Sequence, residues 1–171
     1  MPEYLTLHPP HANGALCVRL SPLLTISNQE SVRYSGMVFD IGIDVVENER
    51  ISDSIQRHGQ RFVDRVFHSS EIDYCRSMKN PAPHFAVRFA AKEAVSKAFG
   101  TGFSEQVSWR DIEISRKPSG EPFVILHGGA AALADRLRIS AILVSLSHTE
   151  HYAVANALLM TDQQSPRTSN Q

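Results

Sequence analysis

From Met37 to Val46 hydrophobic and polar residues alternate. Phe39, Ile41, Ile43 and Val45 fall on one side of an extended segment, and Asp40, Gly42 and Asp44 on the other, the period of two of a β-strand. With the apolar set turned to a core, Asp-Gly-Asp is expected to look outward. The period then lengthens. Helices are predicted at 47–58, 60–67 and 70–78, the third with Ser69 or Ser70 as its N-cap. Asn80-Pro81 and Pro83 break the chain ahead of a long helix at 84–99, which Gly100 closes. "VSWRDIEIS" and "PFVILH" read as strands flanking the loop "RKPSGEP", and 129–137 as a short Ala-rich helix. "AILVSLSHT" and "HYAVANALLM" form a second hairpin turning at 149–151. Two hairpins imply antiparallel pairing. The expected class is α+β, with long helices packed on a mainly antiparallel sheet.

Outside this span the pattern fades. Residues 1–36 carry Pro9-Pro10 and no sustained period, and read as a poorly ordered N-terminal extension, with Met37 a candidate start for a domain over 37–160. Residues 161–171 form a polar tail.

Composition narrows the function classes. With 17 basic and 18 acidic residues the formal net charge is −1, so no global field favours nucleic acid or a membrane surface, and an anion site must be local. Cys17 and Cys75 have no C-x-x-C spacing, which argues against a disulfide framework or thiolate metal site and fits a reducing compartment. No run reaches the roughly 18 apolar residues of a membrane span. The simplest setting is the cytoplasm.

The densest candidate chemistry lies in "VRFAAKEAVSKAFGTG", residues 87–102. On a helix Val87, Ala91, Ala94 and Ala98 form an apolar stripe, Arg88 and Lys92 a second stripe, and Glu93 and Lys97 a third. Glu93 and Lys97 have the spacing of an exposed ion pair worth about 0.3–0.5 kcal/mol. They also suit a phosphate site. Mg²⁺ needs only one or two protein carboxylates when phosphates and waters complete its shell, and Glu93 with a strand-borne Asp44 would supply them. Asp44 could equally be an acid that complements the next helix dipole. Gly100-Thr101-Gly102 offers close backbone approach to a phosphate or simply ends the helix. Lys117, Ser119 and Gly120 in "KPSGEP", and Ser147, His148 and Thr149 in "SLSHT", are either anion contacts or ordinary turn residues.

Taken together and in order, "DIGIDVVENERI", "RFVDRVFHSSEIDYC", "RFAAKEAVSKAFGTG", "WRDIEISRKPSGEP" and "VSLSHTEHYAVA" resemble the holo-[acyl-carrier-protein] synthase family, the small bacterial 4′-phosphopantetheinyl transferases, over about 37–160. The resemblance implies Mg²⁺-dependent transfer of phosphopantetheine from coenzyme A to a serine of apo acyl carrier protein. Adenosine 3′,5′-bisphosphate is released, in the service of fatty acid and lipid biosynthesis. It implies Asp44 and Glu93 as metal ligands, Glu93 or a metal-held water as base, and Lys97 as neutraliser of phosphate or leaving group. Lys97, Gly100, Thr101, Ser119, Gly120, His148 and Thr149 become coenzyme A contacts, and Arg50, Arg61, Phe62 and Arg65 the carrier-binding set. It further implies a homotrimer with interfacial sites, one subunit giving the "GID" strand and a neighbour the "SHT" side. Two features depart from the family pattern. These are the 36-residue extension and Ser119, where an Asn commonly precedes the loop glycine. A broad-range transferase is disfavoured because each motif occurs once, and a non-catalytic coenzyme-binding module because the Asp44/Glu93/Lys97 set is intact.

Overall fold

The alternating segment is strand β1 (Met37–Glu47), but its faces are used the other way round. Ile41, Ile43 and Val45 are about two-thirds exposed at 63%, 62% and 59%, while Gly42 and Val46 are buried and Asp44 is partly covered. The expectation that Asp-Gly-Asp looks outward is therefore corrected for Gly42 and Asp44, whereas Asp40, just past a register shift between Val38 and Asp40, is exposed as expected and Phe39 packs against the core. The reason is steric. The long helix lies on that face so closely that a Cβ on Gly42 would stand 1.9 Å from the Ala94 carbonyl oxygen and 2.8 Å from the Ala98 nitrogen. Only a residue without a side chain admits such an approach.

A computed structural model describes residues 37–161, so the N-terminal extension at 1–36 and the tail beyond Thr161 lie outside the described residues. After β1 come α1 (Asn48–Val66), α2 (Ser69–Ser77) and α3 (Pro81–Ala98). A single 3-10 turn (Trp109–Asp111) leads into β2 (Ile112–Arg116) and β3 (Pro122–Leu126), followed by α4 (Gly128–Leu137), β4 (Ile139–His148) and β5 (Tyr152–Thr161). Strands β1, β5 and β4 make one antiparallel sheet in that order, and β2 with β3 a separate two-stranded ribbon. The α+β expectation holds.

Local departures have local causes. The helices expected at 47–58 and 60–67 are both present within α1, divided where expected by the non-helical Gly59 at φ 57°. Helix α3 begins at Pro81 rather than 84, because prolines in a first turn remove only N–H groups that have no helical partner. Its far end is as expected, with Gly100 at φ 75° just past the Phe99 cap. The N-cap of α2 is His68, not Ser69 or Ser70, and the Glu71 carboxylate accepts the His68 N–H at 2.8 Å. The strand expected over 107–115 begins only at Ile112, since 107–111 are loop and 3-10 turn.

The core is a seam of small residues. Facing α3, β5 presents Ala153, Ala155 and Ala157, all nearly or fully buried, against Ala90, Ala91, Ala94 and Ala98. Within the same core Phe67, Ile112 and Ile114 meet a fully buried ion pair. There Lys92 Nζ lies 2.8 Å from Glu71 Oε2 and donates to the Ile112 carbonyl at 2.5 Å and the Trp109 carbonyl at 3.3 Å. All three ammonium donors are used, which offsets part of the desolvation, although burial still holds Lys92 below the ordinary lysine range. Cys75, fully buried, has its thiol pushed up to about 12 by that burial, which makes it inert.

Candidate active site

Two positions beyond Gly42 on the same face, Asp44 comes level with the last turns of α3. There Lys97 Nζ closes on Asp44 Oδ1 at 2.7 Å and on the Ile43 carbonyl at 3.3 Å. Asp44 is 15% exposed and Lys97 49%, so the pair forms the rim of a site rather than a core contact. Glu93 sits one turn earlier on α3 and is half-buried. Burial pushes its carboxyl above the ordinary range, the Asp44 charge adds to this, and Lys97 opposes it. Strand and helix thus deliver two carboxylates and an ammonium to one place.

The donor set fits a hard divalent cation. It offers carboxylate oxygens from a strand and a helix, and Glu93 is raised by burial first and by the neighbouring Asp44 charge second, both of which a bound cation would offset. Such a pair could hold Mg²⁺ while leaving room for waters and phosphate oxygens. Beside it Gly100 and Gly102 both have positive φ, and Thr101 Oγ1 donates to the Gly102 carbonyl at 3.0 Å.

A second group forms at the opposite end of α3. His84 and His148 meet edge to face with centroids 4.9 Å apart, and Tyr74 packs on His84 at 5.9 Å. The Arg88 and Arg116 guanidiniums lie over the Tyr74 ring at 4.1 and 4.9 Å, and Arg116 also donates to the Tyr74 hydroxyl. Burial first, then His148, Arg88 and Arg116, push His84 down to about 4. His148 is lowered too, chiefly by burial. The result is a cation-rich, aromatic-walled patch beside the β2–β3 loop. In that loop Gly120 has φ 88° and donates its N–H to the Lys117 carbonyl at 2.8 Å. Ser119 is exposed at the tip.

The other predicted residues lie on the β4–β5 turn and on α1. Thr149 caps the β4–β5 turn, its Oγ1 accepting the N–H groups of His151 and Tyr152 at 3.3 and 3.1 Å. Buried Asn48 ties that turn to the start of α1 by donating to the Thr149 and Glu150 carbonyls, each at 2.9 Å. Asp44 and His148 share the inner face of the sheet, but one row and two strands apart. The two ends of α3, at His84 and Lys97, are separated by about 20 Å at 1.5 Å per residue. Arg50, Arg61 and Arg65 are exposed on α1, whereas Phe62 is partly buried and meets the Phe67 ring edge-on at 6.4 Å. Arg65 also lines a groove with Phe103, Trp109 and Arg110.

Tyr74, His84 and Arg116 carry no signal in the sequence, and Arg88 stands out there only through its stripe with Lys92. They come from α2, α3 and β2 and converge only through tertiary packing. One signal was available: Arg88 and Lys92, four apart among alanines, are charges on a buried helix and need partners.

Residues 40–157 match the model of the 4′-phosphopantetheinyl transferase superfamily. A holo-[acyl-carrier-protein] synthase of Koribacter versatilis is 49% identical over 123 residues, covering 72% of this chain and 98% of the relative. The crystal structure of the Neisseria meningitidis holo-[acyl-carrier-protein] synthase aligns with TM-score 0.67 at 32% identity, over 72% of this chain and 98% of that one. The Helicobacter pylori enzyme, solved in complex with coenzyme A, aligns with TM-score 0.63 at 33% identity, over 70% and 98%. Family match, sequence identity and shared fold agree, and the chain belongs to the holo-[acyl-carrier-protein] synthase family of 4′-phosphopantetheinyl transferases.

Proposed function

We propose that this chain moves the 4′-phosphopantetheine group of coenzyme A onto a serine of apo acyl carrier protein, with Mg²⁺, and releases adenosine 3′,5′-bisphosphate. The setting is cytoplasmic fatty acid synthesis. The observation that carries the reading is the meeting of Asp44 and Lys97, at 2.7 Å, beside a Glu93 whose carboxyl is pushed upward.

Asp44 and Glu93 would hold the Mg²⁺, whose chemistry is to offset charge on pyrophosphate oxygens during phosphoryl transfer. Glu93 is suited to take the proton of the carrier serine, because a raised carboxyl is a better base near neutrality. Lys97 neutralises a phosphate oxygen or the departing bisphosphate, its ammonium being half exposed and free to swing from Asp44. Gly100 and Thr101 at the end of α3 allow close backbone approach. Ser119, Gly120, His148 and Thr149 then line the far end of the coenzyme, where Arg116 adds positive charge. Arg50, Arg61 and Arg65, with the edge of Phe62, meet the acidic carrier and steer its approach.

The assembly is a homotrimer. Two features support this: the exposed sheet face of Ile41, Ile43 and Val45, and the placement of the two candidate groups at opposite ends of α3. A neighbour's "SHT" turn can complete what one subunit's Asp44 begins. Among the described residues no helix is long and apolar enough to cross a membrane.

The test is the intact mass of apo acyl carrier protein after incubation with the chain, Mg²⁺ and coenzyme A. A gain of one phosphopantetheine is expected, lost on chelation and lost in Glu93→Gln with the fold retained. An unmodified carrier, or full turnover by Glu93→Gln, would overturn the reading.

A further inference from the structure

His68, Glu113 and His127 converge on elements that take no part in the Asp44/Glu93/Lys97 site. His68 stands ahead of α2, Glu113 lies in β2, and His127 directly precedes α4. His127 Nε2 is 2.9 Å from Glu113 Oε2, and His68 Nδ1 is 3.7 Å from the same oxygen. One nitrogen or oxygen from each residue lies within 4.8 Å of the others. The two rings stack with centroids 4.7 Å apart. His68 and Glu113 are 17% and 12% exposed while His127 is 40% exposed. The cluster is thus enclosed on two sides and reachable on the third.

The spacing suits coordination. Bonds of about 2.0–2.1 Å to a tetrahedral ion put donor atoms roughly 3.3 Å apart, and the two shorter separations bracket that value. His68 is turned as a ligand. Its Nε2 is 2.7 Å from the Arg110 carbonyl, which only accepts, so Nε2 carries the hydrogen and, in the neutral ring, the Nδ1 lone pair is left toward Glu113 and the Glu71 backbone N–H of the capping box. With the ring neutral, Nδ1 and the carboxylate oxygen are two electron-pair donors 3.7 Å apart, a gap that a cation would fill. Ser70 Oγ donates to the other carboxylate oxygen, Glu113 Oε1, at 2.5 Å and fixes its orientation. Two of the three ligands therefore have the outer hydrogen bond that orients metal ligands.

The surroundings also select the ion. Both α2 and α4 begin here, and helix starts carry partial positive charge, a poor setting for a hard cation held by charge alone. Two imidazoles and one carboxylate suit a borderline ion such as Zn²⁺ or Co²⁺, whereas Mg²⁺ prefers oxygen. We propose that His68, Glu113 and His127 form a second metal site, taking one Zn²⁺-like ion with water completing its shell and clipping the starts of α2 and α4 to β2. On binding, His127 moves its Nε2 hydrogen to Nδ1. This inference stands independently of the transfer reading.

The experiment is a Co²⁺ titration of the full chain followed by visible d–d absorption. The expected result is one Co²⁺ per chain, displaced by Zn²⁺ but not by excess Mg²⁺, with Zn²⁺ raising Tm. The band should persist in Glu93→Gln, which lacks the carboxylate near Asp44. His127→Ala and His68→Gln should each weaken Co²⁺ binding about tenfold or more and lose the Tm increase. His68→Gln keeps a donor for the Arg110 carbonyl, so it tests ligation rather than folding. No band, a band unchanged in His68→Gln, or one lost in Glu93→Gln would overturn the proposal.

Discussion

Lys97 Nζ lies 2.7 Å from Asp44 Oδ1, on another element, although Glu93 stands one turn away on Lys97's own helix. The sequence spacing allowed a solvated Glu93–Lys97 pair, yet the ammonium's close contact is tertiary. Asp44 is thereby balanced, while Glu93 feels burial and the Asp44 charge before it feels Lys97.

Removing the Lys97 charge should therefore drive Glu93 further upward. In the metal-free protein, Lys97→Ala is expected to shift the Glu93 carboxyl titration to higher pH, read by carbon NMR of the side-chain carboxyl. An unchanged or lower midpoint would break the coupling. The stability sign follows as well. A carboxyl raised above its unfolded value contributes stability present below the unfolded pKa and lost as pH rises through the folded one. Glu93→Gln should accordingly raise Tm at neutral pH even as transfer is lost.

Gly42 predicts a large packing effect. An added Cβ would meet the Ala94 carbonyl oxygen at 1.9 Å, and a backbone oxygen cannot swing aside as a side chain can. Gly42→Ala should cost roughly 3 kcal/mol of stability, measured by urea unfolding. A loss within a few tenths would mean that helix and strand part easily.

His84 offers a titration marker at the other end of α3. Lowered to about 4 from its ordinary 6.5, it contributes stability present above the unfolded value and lost as pH falls from about 6.5 towards 4. Its causes after burial are neighbouring cations, so a bound anion should reverse part of the shift. Adenosine 3′,5′-bisphosphate is expected to raise the His84 midpoint in proton NMR. A midpoint indifferent to the nucleotide would remove this patch from the coenzyme site.

The outer sheet face gives a test of assembly. Ile43 is 62% exposed and pairs with Asn156 across β5. Ile43→Lys should yield a monomer by sedimentation and reduce transfer by about tenfold or more, with the far-UV spectrum retained. A variant whose assembly state matches that of the unaltered chain would place the interface elsewhere.

Much of this was legible along the chain. The alternation over 37–46 defined β1, the alanine stripe set the buried side of α3, and Gly100 marked its end. Which face of β1 lies inward was not, because alternation defines two faces without ranking them. Ranking by hydrophobicity put Ile41 and Ile43 inside. The opposite outcome depends on the helix needing a Gly42-sized gap and on a sheet with something further to cover. The buried Lys92–Glu71 pair was equally hidden, since its partners lie on separate helices and its remaining acceptors are carbonyls of Trp109 and Ile112. His68 displaced the expected serine caps because the first turn of α2 is satisfied by Glu71 reaching back to its backbone.

The contact between Gly42 and Ala94 has one more consequence. With main chain set against main chain, the distance between Asp44 and the helix that carries Glu93 and Lys97 is fixed by peptide dimensions and not by side-chain rotamers. Thermal breathing has little slack to widen the gap, and sliding the helix by one residue would drive a different carbonyl into the strand. The two carboxylates are held as if by a hinge pin rather than a spring, so their alignment should hardly change between the cold and warm limits of the folded state.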